Sequence, residues 1–83
     1  MLKVSVISPE RTLYEGEAQS VVAPAYDGEV GILTGHAPLL TLLGDGELRL
    51  SSATSGARFQ VHGGFLQVAD NVVRVVTEHA EAK

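Results

Sequence analysis

The side chains able to do chemistry in this 83-residue chain are three histidines, ten carboxylates and a scatter of hydroxyls. His36, His62 and His79 stand 26 and 17 positions apart, without the i, i+2 strand spacing and nearby carboxylate that would gather ligands around a metal ion. Each reads as a surface or hydrogen-bonded imidazole, and no metal ligand is assigned. Asp27 with Glu29, Asp45 with Glu47, and Glu78 with Glu81 offer carboxylate pairs for acid–base work or cation binding. A general acid needs a desolvated pocket, and a chain this short has little room for one, so solvated turns are the expected setting. Ser5, Ser8 and the run Ser51, Ser52, Thr54, Ser55 supply hydroxyls with no nucleophile elbow and no base in a recognisable arrangement. Gly63-Gly64 is followed by neither the Lys nor the Ser or Thr of a Walker loop and reads as a strand bend or bulge. A metal-dependent hydrolase built from Glu29, His36 and His62 is the enzyme alternative, which stoichiometric zinc would revive. The residues themselves favour a noncatalytic chain with no cofactor.

The elements that must position these groups are read from periodicity. Leu2, Val4 and Val6 alternate with Lys3 and Ser5, Leu48 and Leu50 with Glu47, Arg49 and Ser51, and Phe59 and Val61 with Arg58, Gln60 and His62. Alternation of this kind marks half-buried strands. Thr12 to Glu17, Gln19 to Pro24, Gly64 to Ala69 and Val72 to Glu78 are further strand candidates, rich in β-branched or aromatic residues and bounded by turn formers. Asp70-Asn71 suits a tight hairpin, because both residue types tolerate left-handed geometry. Gly44-Asp45-Gly46 and Thr54-Ser55-Gly56 mark two other turns. The stretch Gly28 to Leu40, GEVGILTGHAPLL, reads as a shaped loop. Gly28, Gly31 and Gly35 allow positive φ or close backbone approach, and Pro38 fixes its own φ and biases Ala37 toward extension. Ala37 to Leu43 is expected as a turn followed by a strand. The residues from about 79 to 83 read as a short polar tail, with helix formers too few to be stable alone. Short strands with turns about every ten residues predict an antiparallel sandwich or barrel.

Composition narrows the classes. An apolar fraction of 45% with 19% charged residues fits a folded protein, and the length predicts one small domain burying about 60% of its unfolded surface. With no Cys, neither disulfides nor thiolate metal sites can staple it. The net charge is −4, and Lys3, Arg11, Arg49, Arg58, Arg74 and Lys83 are scattered singly, which argues against a nucleic-acid surface. The start MLKVSVIS falls short of a signal-peptide core or of the ~20 apolar residues of a membrane span, so a soluble, unexported chain is expected.

An ordered set of motifs spans most of the chain: Ser8-Pro9-Glu10-Arg11, Tyr14-Glu15-Gly16, VVAP at Val21 to Pro24, GEVGILTGHAPLL at Gly28 to Leu40, and GGFLQVADNVVRVV at Gly63 to Val76. From about Val4 to Val76 the chain resembles the epsilon subunit family of F-type ATP synthase, whose mitochondrial counterpart is called delta. The resemblance implies an all-β fold, an antiparallel β-sandwich of two five-stranded sheets. It further implies a noncatalytic central-stalk (rotor) subunit that couples rotation of the c-ring to the gamma subunit during ATP synthesis. The partners would be gamma and the c-ring, with no nucleic acid. Attachment to the membrane would be peripheral, through the complex, on the cytoplasmic face of a bacterial inner membrane, with the thylakoid stromal face or the mitochondrial matrix side as other settings. A stand-alone ligand-binding β-sandwich is the alternative function.

By motif position the resemblance makes Glu29 a c-ring-facing carboxylate and turns Ser8, His36 and Thr41 toward gamma, with Gly28, Gly31, Gly35 and Pro38 shaping the stretch between. His36 has a competing role, bonding loop backbone to hold Ala37-Pro38 in place. Ser8 before Pro9 could equally initiate a turn, and Thr41 could be an ordinary strand residue. Ile32, Leu33, Leu39 and Leu40 are candidates for an apolar contact patch, against core packing as the commoner fate of aliphatic residues. Two departures from the family pattern stand out. Thr34 stands where the family usually has Pro, and only HAEAK comes after Glu78 where two helices generally follow, so the helical hairpin is not expected within these residues, whether the chain is naturally short or a truncation. Inhibition of hydrolysis through that helical hairpin is therefore not expected of this chain.

Overall fold

Alternating side chains give the strands one apolar face, and the fold is the arrangement that lets two sheets of such faces close on each other. The computed structural model describes residues 1–52 and 56–83. Ten strands run in order: β1 Leu2–Ile7, β2 Thr12–Ala18, β3 Ser20–Ala25, β4 Gly28–Leu33, β5 Leu39–Leu42, β6 Asp45–Ser51, β7 Gly56–His62, β8 Phe65–Ala69, β9 Val72–Val76 and β10 His79–Ala82. They form two five-stranded sheets, the first ordered β2-β1-β9-β8-β5 and the second β10-β7-β6-β3-β4. Neighbouring strands pair antiparallel except β1 with β9, which run parallel.

The inward residues are those the alternation picks out. Leu2, Val4, Val6, Leu66, Val68, Val73 and Val75 from the first sheet meet Val21, Ile32, Leu48, Leu50, Phe59 and Val61 from the second, all buried. Each such side chain contributes roughly 1.5–3 kcal/mol on burial. Tyr14 of β2 meets Phe59 of β7 edge-on, with ring centroids 6.3 Å apart, and so joins the two sheets. Asp70 and Asn71 have φ of 50° and 62° and turn β8 into β9, as two-residue hairpin geometry requires.

Three expectations are corrected. Gly28–Leu33 is a strand, paired with β3 along its whole length, so the shaped loop shrinks to residues 34–38. The glycines misled here: Gly31 has no positive φ and sits opposite Val22 in the ladder, while Gly28 and Gly35 do have positive φ, 134° and 88°. In place of a polar tail, residues 79–82 form β10, an edge strand on β7. Four residues lack the length for a helix but suffice for a strand once a paired neighbour supplies the hydrogen bonds. Asp45 and Gly46 belong to β6, so that turn narrows to the residues around Gly44. Of the turn expected at Thr54-Ser55-Gly56, Thr54 and Ser55 lie outside the described residues and Gly56 opens β7.

Candidate functional site

Each outer face of the sandwich is determined by the residues that alternation leaves outside. On the first sheet, pairing sets Leu42 opposite Phe65, Phe65 opposite Val76, and Val76 opposite Ile7. An apolar row therefore crosses four strands. The adjacent outward row, Leu40–Gln67–Arg74–Ser5, is polar apart from its first member. Leu40 and Leu42 are 71% and 62% exposed and Phe65 41%, and Tyr26, 69% exposed, joins them around one shallow open depression with Thr41. Tyr26 is brought there by its backbone, whose N–H donates to the Leu42 carbonyl at 3.1 Å. Scattered exposed leucines are ordinary, but four large apolar side chains gathered on one edge mark a contact surface.

The candidate patch drawn from sequence splits accordingly. Ile32 is fully buried and Leu39 packs against the core, whereas Leu33 and Leu40 lie open at 64% and 71%. Leu42, Phe65 and Tyr26 were missed. The cross-strand register that joins Leu42 to Phe65 over 23 positions of sequence is invisible to local pattern, although the outward parity of both residues was readable.

The loop over residues 34–38 is tied down through the backbone of Gly35 and His36. The Gly35 N–H donates to Asn71 Oδ1 at 2.7 Å, joining the loop to the β8–β9 turn, and the His36 N–H donates to the Leu33 carbonyl at 3.0 Å. His36 Nδ1 lies 2.6 Å from the Ala37 carbonyl oxygen. A carbonyl only accepts, so Nδ1 carries the proton, and Nε2 is the nitrogen left to face outward. Ser8 is buried between β1 and β2, where its backbone exchanges hydrogen bonds with Arg11 and its hydroxyl donates to the Arg11 carbonyl at 3.2 Å. Ser8 follows Ile7 at one end of the first sheet, while His36 lies near Asn71 at the other, so the fold does not gather Ser8, His36 and Thr41 at one point. Thr41 is half-buried in β5 opposite Leu66.

Glu29 projects from β4 and approaches Arg49 of β6 at 3.6 Å; Arg49 also lies 3.9 Å from Glu47. The Glu29–Arg49 pair is solvent-exposed, and Glu47 is half-buried. Basic residues that are single in sequence converge here, since Arg49 stands opposite Arg58 and Lys83 bonds both the Arg58 carbonyl through its backbone and Glu47 through Nζ. Interleaved carboxylates balance this cluster. Among the described residues no three His, Asp or Glu side chains form a metal-binding group, and Glu29, His36 and His62 are not brought together. No buried side-chain polar atom among them lacks a hydrogen-bond partner, so nothing reactive is held unpaired in the interior.

Residues 1–83 match the family model described as the ATP synthase delta/epsilon chain β-sandwich domain. The chain is 46% identical over 82 residues to an ATP synthase epsilon chain of Leptospira borgpetersenii, covering 99% of this chain and 65% of that one. It is 44% identical over 80 residues to one from a Synechococcus strain, covering 96% and 58%. It thus spans less than two thirds of the length of these relatives. Its fold is similar to a chain of the Euglena gracilis mitochondrial ATP synthase, with a TM-score of 0.89 at 23% identity, covering 98% of this chain and 52% of that one. A chain in the central stalk and c-ring structure of the Tetrahymena thermophila mitochondrial enzyme superposes with a TM-score of 0.81 at 17% identity, covering 96% and 65%.

Proposed function

The chain belongs to the ATP synthase delta/epsilon β-sandwich family, and on that premise we propose that it is a noncatalytic rotor element coupling the c-ring to the gamma subunit. The observation that carries the reading is the apolar edge of the first sheet, where Leu42, Phe65 and Leu40 lie exposed on strands backed by the core and Tyr26 joins them from the β3–β4 turn. Its openness suits a broad protein partner better than an enclosed small ligand. Gamma is the partner assigned to this edge, with Thr41 within it and His36 beside the start of β5. Glu29, on the outer face of the second sheet, is the carboxylate assigned to the ring. There it would exchange part of its pairing with Arg49 for a basic group of the partner. Attachment to the membrane follows through the complex. The bacterial relatives at 44–46% identity favour the cytoplasmic face of a bacterial membrane.

The test is binding of the purified chain to gamma and to the c-ring, at low and at physiological salt, with an ATPase assay alongside. Wild type is expected to bind and to hydrolyse no ATP. Leu42→Glu places a charge in the centre of the apolar edge and is expected to weaken gamma binding tenfold or more, about 1.4 kcal/mol or above, while leaving the fold intact. Wild type that binds neither partner, or Leu42→Glu that binds gamma like wild type, removes this reading.

A further inference from the structure

We propose that His62 and His79 form a two-imidazole site for a borderline divalent transition metal, of the zinc, nickel or copper class, on the outer face of the second sheet. The two residues are direct partners in the β7–β10 ladder, and Asp45 of β6 is the direct partner of His62 on its other side, so a His–His–Asp row crosses three strands. The rings are tilted by 32° with centroids 5.6 Å apart. A metal bound at about 2.0–2.1 Å from an imidazole nitrogen sits about 3.2 Å from the ring centre, so two rings sharing one tetrahedral metal have centroids about 5.2 Å apart. The observed separation needs only a small closure to reach that value.

The carboxylates occupy the supporting positions. His79 Nε2 lies 3.1 Å from Glu81 Oε1, and His62 Nδ1 lies 4.0 Å from Asp45 Oδ1. A carboxylate bonded to one ring nitrogen fixes the tautomer and raises the donor strength of the other, as Glu81 does for His79, while Asp45 stands beyond hydrogen-bond distance on the Nδ1 side of His62. His79 Nδ1 and His62 Nε2 are then the nitrogens offered to the metal, and water completes its coordination. Imidazole donors select zinc, nickel and copper over magnesium or calcium. The site would clip the four-residue edge strand β10 to β7, and it stands independently of the docking role of the first sheet.

The probe is the metal alone, added to the untagged chain and followed by NMR line broadening with Cu2+ and by calorimetry with Zn2+. Expected are one equivalent of metal, broadening centred on His62 and His79, and a rise in melting temperature with added Zn2+. His62→Gln and His79→Gln should each weaken binding about tenfold or more, and His36→Gln should leave it unchanged. Both ring side chains are about half exposed, so the variants should fold, and the broadening map on wild type needs no variant. Broadening centred on Met1 or His36, affinity unchanged by His62→Gln, or no binding up to about 1 mM metal overturns the proposal.

Discussion

Replacing Gly64 by Ala tests how the apolar edge is built. Gly64 joins β7 to β8, has φ of 108°, and accepts a hydrogen bond on its carbonyl from the Leu43 N–H at 2.9 Å, immediately before Phe65. A Cβ there would lie 2.0 Å from the Val76 carbonyl oxygen and 2.7 Å from the Thr77 Cα. Both obstacles are backbone, so no rotamer change relieves them. The left-handed φ costs an alanine about 1–3 kcal/mol, and the forced backbone shift adds about 1–3 kcal/mol. A central value of about 4 kcal/mol lowers the melting temperature of a domain this size by about 16–32 °C. Gly31→Ala is the internal control, because nothing lies within 4 Å of its Cβ and its φ is not positive. A strand alanine is expected to stabilise by about 0.5–1 kcal/mol over glycine. Urea unfolding followed by circular dichroism compares the two. Gly64→Ala within about 1 kcal/mol of wild type, or Gly31→Ala losing as much as Gly64→Ala, would refute the steric reasoning.

Two further substitutions probe the loop and the second sheet. Asn71→Ala loses both tolerance of its φ of 62° and the acceptor for the Gly35 N–H. It should cost about 1–2 kcal/mol in urea unfolding and speed hydrogen exchange at Gly35, with Asn71→Asp milder because it keeps an acceptor. Glu29→Gln removes the exposed pair with Arg49 and should lower stability by less than ~1 kcal/mol, an effect that added salt erases. A measurable loss of c-ring binding in the same variant is the outcome that supports Glu29 as a ring contact.

The strands were largely legible because burial on one side imposes period two, and each alternating run became a strand with the expected inward parity. Asp70-Asn71 and Gly63-Gly64 were legible for a different reason, their residue types matching the positive φ the turns need. What local pattern could not supply was pairing. β4 reads as a loop because Gly28 and Gly31 within it, and Gly35 just beyond, weaken its strand signal, yet β3 offers it a full antiparallel ladder. β10 is four residues long and gains its conformation from β7. The same limitation separated His62 from His79 and Leu42 from Phe65, each pair adjacent only through register.

Register also decides what kind of docking surface this can be. A row crossing β5, β8, β9 and β1 is fixed by ladder hydrogen bonds on one side and by a close-packed core beneath, so it deforms little under load. A flexible 13-residue loop would have had to be ordered on binding, at an entropic cost that a strand-built ledge avoids. The row is narrow, however, and a stable interface buries at least about 1,000 Å² in total. A partner gripping it must therefore reach beyond Leu42 and Phe65 to Leu40 and Tyr26, and toward Ile7 at the far end. Ile7→Glu, remote in sequence from GEVGILTGHAPLL, should then weaken gamma binding as Leu42→Glu does. If it leaves binding intact while Leu42→Glu abolishes it, the contact is confined to the β5 edge and the row is incidental.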